Sequence, residues 1–136
     1  MFWVVIFSGF INTAQSENES PSTSTVHVTE LGTLSVGVKL PSFNGQTITG
    51  DRLSSPSLIG NGSVVVVSYA ATWCQPCRFG VPIIERVSHS DNSVQAVYVT
   101  LDSEPAKVQR WAVELGIQSP IVVDKFNAIA KRHGIV

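Results

Sequence analysis

The hydrophobic positions along the chain fall into blocks of two different periods. Val64-Val65-Val66-Val67 is a continuous β-branched run with no polar alternation, so it predicts a strand over 63–69 that is covered on both faces. Residues 94–101 predict a second strand and 120–123 a short third one. Between the strands the spacing becomes helical. Val81, Ile84 and Val87 would share one face of a helix over 75–88, and Val108, Trp111, Ala112 and Leu115 stand at i, i+3, i+4 and i+7 over 105–115. Pro105 opens that second helix, where a missing N–H costs nothing, and Gly116 closes it. Residues 125–133 predict a last short helix ended by Gly134. Strands alternating with helices predict an α/β domain with a parallel central sheet and right-handed crossovers.

Upstream the pattern is looser. Between 34 and 58, apolar residues alternate with turn formers, which predicts a β-hairpin turning at Asn44-Gly45, with Phe43 and Ile48 facing the core. Asn61-Gly62 is the next turn. Residues 17–30 begin with a polar, Ser/Thr-rich stretch that cannot bury apolar area, and they predict a flexible linker. Residues 1–16 start with an apolar run through Ile11, too short to span a bilayer as a helix. Small polar residues follow, as in a signal peptide with its cleavage region near Ala14 or Ser16. No Lys or Arg precedes the run, so the positive end of such a signal is missing. The expectation is export, to the periplasm or to a membrane anchor facing away from the cytoplasm; the alternative is a hydrophobic N-terminus on a cytosolic protein. The folded domain is then 31–136.

Composition changes this picture little. A chain of 136 residues with 43% hydrophobic residues suits one domain. Its net charge of −1 provides no basic field for nucleic acid. The chemistry lies in the only two cysteines, within Trp73-Cys74-Gln75-Pro76-Cys77. A strand that delivers Cys-x-x-Cys to the first turn of a helix is a dithiol redox pattern. Cys74 would be the N-cap and Cys77 the third helical residue. Pro76 between them has no N–H, so the Cys77 amide is the donor aimed at the Cys74 sulfur. The helix N-terminus adds partial positive charge and lowers the Cys74 pKa, while Cys77 sits deeper. Cys74 would attack a disulfide and Cys77 would resolve the mixed disulfide. Other readings of the pair remain: a structural disulfide, which across so short a loop constrains the unfolded chain little; copper(I) held by two thiolates; and zinc, for which four ligands are needed and His27, His89 and His133 show no ligand-like spacing.

Residues 71–78, Ala-Thr-Trp-Cys-Gln-Pro-Cys-Arg, together with Pro82, resemble the thioredoxin superfamily, and more narrowly its exported TlpA-like thiol-disulfide reductases, which include the cytochrome c maturation thioredoxins. Leu40-Pro41-Ser42-Phe43 with Asn44-Gly45 upstream, and Glu114-Leu115-Gly116-Ile117 through Pro120-Ile121-Val122-Val123-Asp124 downstream, extend the likeness over 34–136. The resemblance implies a thioredoxin-like fold with an N-terminal hairpin extension. It also implies Cys74 as nucleophile, Cys77 as resolving residue, and Trp73 and Pro76 as part of the substrate surface. No cofactor is implied. The partners would be protein thiols and disulfides and a membrane-bound electron donor. A non-catalytic fragment, or a module that binds copper(I) or a partner, is the alternative. Peroxidase chemistry fits less well, because peroxiredoxins share the fold but set their attacking cysteine in another context.

The likeness has gaps. Phe79-Gly80-Val81 replaces the acidic residue often found before the helix proline, and Ser68 stands where cytosolic thioredoxins bury an aspartate. The family sets a cis-proline opposite the dithiol, and after Pro82 only Pro105 and Pro120 remain. Pro120 stands at a plausible distance for the cis-proline of a minimal thioredoxin; residues 124–136 instead match the helix that precedes that proline, and on this favoured reading the domain lacks its last two strands and final helix, with one sheet edge left unpaired.

Overall fold

The computed structural model describes residues 3–8, 36–60 and 62–135. In chain order the elements are β1 (Trp3–Ser8), β2 (Asn44–Gln46), β3 (Arg52–Ser54), a 3-10 turn (Ser55–Leu58), β4 (Val64–Ala70), α1 (Gln75–Ser90), β5 (Val94–Thr100), α2 (Pro105–Leu115), β6 (Ile121–Val123) and α3 (Ala128–Arg132). One four-stranded sheet runs in the order β1-β4-β5-β6, and β2 pairs with β3. β4, β5 and β6 are mutually parallel, as the alternation of strands and helices predicts.

The valine run is buried on both sides because β4 is central. Ala70, at its end, joins Ala96 and Tyr98 of β5 with Cys77 and Val81 of α1 and Val108, Trp111 and Ala112 of α2 in one core. Val65, Val67 and Tyr69 point the other way and pack with Phe43, Val97, Val99, Val122, Ile129 and Ala130. The alternation of strand side chains thus separates a face covered by α1 and α2 from a face covered by α3 and the segment leading into β2. We call them the dithiol face and the clamp face.

The clamp face is tied together by hydrogen bonds. His133 is fully buried. Its Nε2 lies 2.8 Å from the Pro41 carbonyl oxygen, which can only accept, so Nε2 carries the proton. Nδ1 then accepts from the Tyr69 hydroxyl. Burial holds the His133 imidazolium below the ordinary histidine value. Asp124 accepts from the Ala130 amide at 2.8 Å and fixes the first turn of α3.

Several boundaries differ from the expectations. The hairpin exists and Phe43 is buried, but Asn44 and Gly45 lie within β2. The turn sits at Thr47–Gly50, closed by the Gly50 amide on the Thr47 carbonyl, with Gly50 at φ 92°. Gly45 answers to packing instead: a Cβ there would stand 2.2 Å from Val122 Cγ1. Val87, expected on the buried face of α1, is exposed, while Val81 is buried and Ile84 packs at the core edge. Two residues added at its C-terminal end carry α1 to Ser90. The last helix is shorter than expected, because Asn127 takes a left-handed conformation, φ 55°, immediately before it. Pro120 opens β6, two strands away from β4, and no peptide bond among the described residues is cis. On the side of β4 away from β5 lies β1, antiparallel from Trp3↔Tyr69 to Ser8↔Val64. Trp3–Ser8 falls inside the leader-like segment. The rest of that segment, the linker over 17–30 and Asn61 lie outside the described residues.

Candidate functional site: a disulfide at the start of a helix

β4 ends at Ala70, and the chain turns once before α1. The turn 71–74 is closed by the Cys74 amide donating to the Ala71 carbonyl at 3.0 Å. Cys74 is the N-cap of α1, with extended backbone at φ −83° and ψ 103°. Gln75, Pro76 and Cys77 follow as the first three helical residues, the arrangement expected from the sequence. Cys74 and Cys77 form a disulfide with their Cα atoms 5.3 Å apart. Cys77 is completely buried and Cys74 is 4% exposed. The site therefore brings both predicted cysteines together at the positive end of a helix dipole.

The other two predicted residues flank the sulfurs at the surface. Trp73 is 67% exposed and Pro76 is exposed. Pro82 lies inside α1 and has no amide to give the Arg78 carbonyl. Arg78 forms an ion pair with Glu114, which ties α1 to α2 on the outside. Ser68 is fully buried on β4, and its hydroxyl has no hydrogen-bond partner among the described residues.

Two buried acidic residues, one of them at the site, were missed by the sequence reading. Glu85 is buried on the inner side of α1. Burial pushes its carboxyl up, but donors from Gln118 and Ser119 outweigh this and hold it below the ordinary glutamate value. Asp102 is 7% exposed, just beyond β5, and accepts from both the amide and the hydroxyl of Thr72. The available signal was register: parallel pairing of β4 with β5 sets Ala70 beside Thr100, so residues just past both strand ends must meet. Among the described residues no group of three or more His, Cys, Asp or Glu could hold a metal ion. Once reduced, Cys74 and Cys77 are the pair able to ligate copper(I).

Chemically, the arrangement offers two sulfurs in an intramolecular disulfide, one on the N-cap residue of α1 and one on its third residue; the cap hydrogen bond expected from the Cys77 amide to the Cys74 sulfur is not made in this disulfide form. A helix N-terminus favours a thiolate placed at its N-cap over one deeper in the first turn. The chain is similar to known proteins in sequence and in fold. The thiol-disulfide oxidoreductase ResA of Bacillus thuringiensis strain Al Hakam is 22% identical over 104 residues, which are 75% of this chain and 59% of ResA. The thioredoxin-like protein YneN of Bacillus subtilis is 29% identical over 93 residues, covering 65% of this chain and 54% of YneN. The chain thus spans less than two thirds of the length of these relatives. Among solved structures, the thioredoxin domain of a thiol-disulfide oxidoreductase from Bacteroides vulgatus superposes with a TM-score of 0.65 at 17% identity, over 73% of each chain. A thioredoxin-family thiol:disulfide interchange protein from Chlorobium tepidum gives 0.53 at 30% identity, over 61% of this chain and 57% of its own. The fold is thioredoxin-like, and the match to the AhpC/TSA family over residues 36–136 makes this chain a member of that family.

Proposed function

We propose that the protein is a thiol-disulfide oxidoreductase that reduces protein disulfides through Cys74 and Cys77. The observation that carries the reading is the Cys74–Cys77 disulfide placed at the N-cap and third residue of α1. In the reduced form the Cys74 thiolate attacks one sulfur of the substrate disulfide. That S–S bond breaks, the second substrate sulfur leaves as a thiolate and takes up a proton, and a mixed disulfide remains. Cys77, deprotonated, then attacks the Cys74 sulfur and expels the first substrate sulfur. The substrate gains two electrons and two protons, and the Cys74–Cys77 disulfide forms. A dithiol donor must reduce it again for turnover. Trp73 and Pro76 supply the surface against which the substrate lies.

The finer parts of the reading extend from the sequence. Export rests on the leader-like residues 1–16, and the donor is then a membrane-bound dithiol protein. The cysteine pair of an apocytochrome c is the substrate that the family resemblance brings forward. Cleavage of residues 1–16 would remove β1 and leave the outer edge of β4 unpaired. Fusing residues 1–30 to a reporter that is active only outside the cytoplasm tests export; a silent reporter contradicts it.

The activity is tested by reduction of insulin with dithiothreitol as electron source. The chain should accelerate it, Cys74→Ser should return the rate to background, and Cys77→Ser should accumulate a mixed disulfide at residue 74. Insulin reduction that survives Cys74→Ser overturns the proposal.

A further inference from the structure

We infer that Asp102 is a positioning residue for the dithiol, holding the turn that carries Cys74 through a two-point grip on Thr72; the inference rests on the thiol-disulfide reading above. The carboxylate sits where the parallel strands β4 and β5 end side by side, with the Leu101 amide donating to the Ala70 carbonyl at 3.0 Å. One carboxylate oxygen, Oδ2, accepts the Thr72 amide at 2.8 Å. The other, Oδ1, accepts the Thr72 hydroxyl at 2.7 Å. Thr72 is the second residue of the turn whose last residue is Cys74. A single buried anion therefore fixes the backbone and the side chain of one turn residue, two positions before the reacting sulfur. Lys107, in the first turn of α2, provides the counter-charge with Nζ 3.8 Å from Oδ1.

A buried carboxylate is costly unless it is paired and hydrogen-bonded. Here that cost is spent on a loop at the site, while the core beneath it is apolar. The redox cycle explains what such a hold does. In the oxidised form the bond to Cys77 ties Cys74 to α1. Reduction removes that tie. The Cys74 sulfur then stays over the helix N-terminus only if the turn 71–74 is held by something else, and the Asp102 grip is such a hold. It acts on the reduced form, keeping the thiolate where the helix dipole and amides stabilise it. Loosening the grip raises the Cys74 pKa and makes the disulfide harder to reduce, lowering the reduction potential.

The experiment compares Asp102→Ala, Thr72→Val and Thr72→Ser with the parent chain. The readouts are the rate of Cys74 alkylation against pH and the potential from equilibration with glutathione. Thr72→Val removes one hydrogen bond and leaves every charge in place; Thr72→Ser keeps both donors. Alkylation at pH 7 should slow on the order of tenfold in Asp102→Ala, a shift of about one pKa unit. Thr72→Val should slow it by a smaller factor, and Thr72→Ser should match the parent. Both slowed variants should show a lower potential. Unchanged alkylation and potential in Asp102→Ala and Thr72→Val, or faster alkylation from loss of the negative charge, overturns the inference. If Asp102→Ala does not fold, the Thr72 pair decides alone. Alkylation needs no turnover, so a parent chain that fails to reduce insulin would sink the functional reading while leaving this comparison readable.

Discussion

The two faces of the sheet treat buried polar groups differently. On the clamp face Tyr69, His133 and Asp124 all find partners, and together they tie β4, α3 and the segment before β2 into one unit. On the dithiol face, the Ser68 hydroxyl, one Glu85 oxygen and the Trp111 indole nitrogen are buried without a hydrogen-bond partner among the described residues. Buried polar atoms are normally paired, because an unpaired one costs its full desolvation. Among the described residues, three such atoms lie on the dithiol face and none on the clamp face. The clamp face holds the strand; the dithiol face presents what the strand carries.

Substitutions can break this contrast. The largest effect on stability should come from Gly45→Ala on the clamp side, where the new methyl meets Val122 Cγ1. Overpacking of this kind costs about 1–3 kcal/mol, seen as a lower midpoint in urea. Tyr69→Phe should follow: it leaves His133 Nδ1 buried without a donor, at about 1–3 kcal/mol, and it should not alter the reduction potential. Ser68→Ala, the matching deletion of a hydroxyl on the dithiol face, should change stability by less than about 0.5 kcal/mol or raise it, since no hydrogen bond is lost. Equal losses in Tyr69→Phe and Ser68→Ala would erase the distinction between the faces.

A pH titration sharpens it further. The folded state holds His133 neutral below its ordinary value, whereas the unfolded chain protonates near pH 6.5. Below that pH the unfolded state binds the extra proton, so stability from this group is full above about 6.5 and is lost as pH falls toward the depressed folded value. His133→Asn should lose that slope in urea midpoints measured between neutral pH and the carboxylate range.

Much of this was legible from the chain, for reasons that differ by residue. The valine run and the spacing of Val108, Trp111 and Ala112 report burial directly, and β4 and α2 stand where expected. The N-cap position of Cys74 follows from a strand ending just before a helical period begins. Asn44-Gly45 misled because the dipeptide also serves where a strand passes close to a neighbour, and only the three-dimensional contact with Val122 distinguishes the two uses. Asp102 and His133 were invisible because their partners lie 30 and 64 residues away, beyond any local period. The antiparallel pairing of Trp3–Ser8 with β4 was likewise non-local; an apolar run carries no label distinguishing a leader from a strand.

We propose that Cys74, as N-cap of α1, is the activated sulfur of the pair. The direct measurement is the pH dependence of iodoacetamide labelling of the reduced chain, with the labelled residue located by mass spectrometry. Labelling should fall on Cys74 and half-titrate below about pH 7.5. Half-titration near the ordinary thiol value of about 8.5, or equal labelling of Cys77, would contradict it.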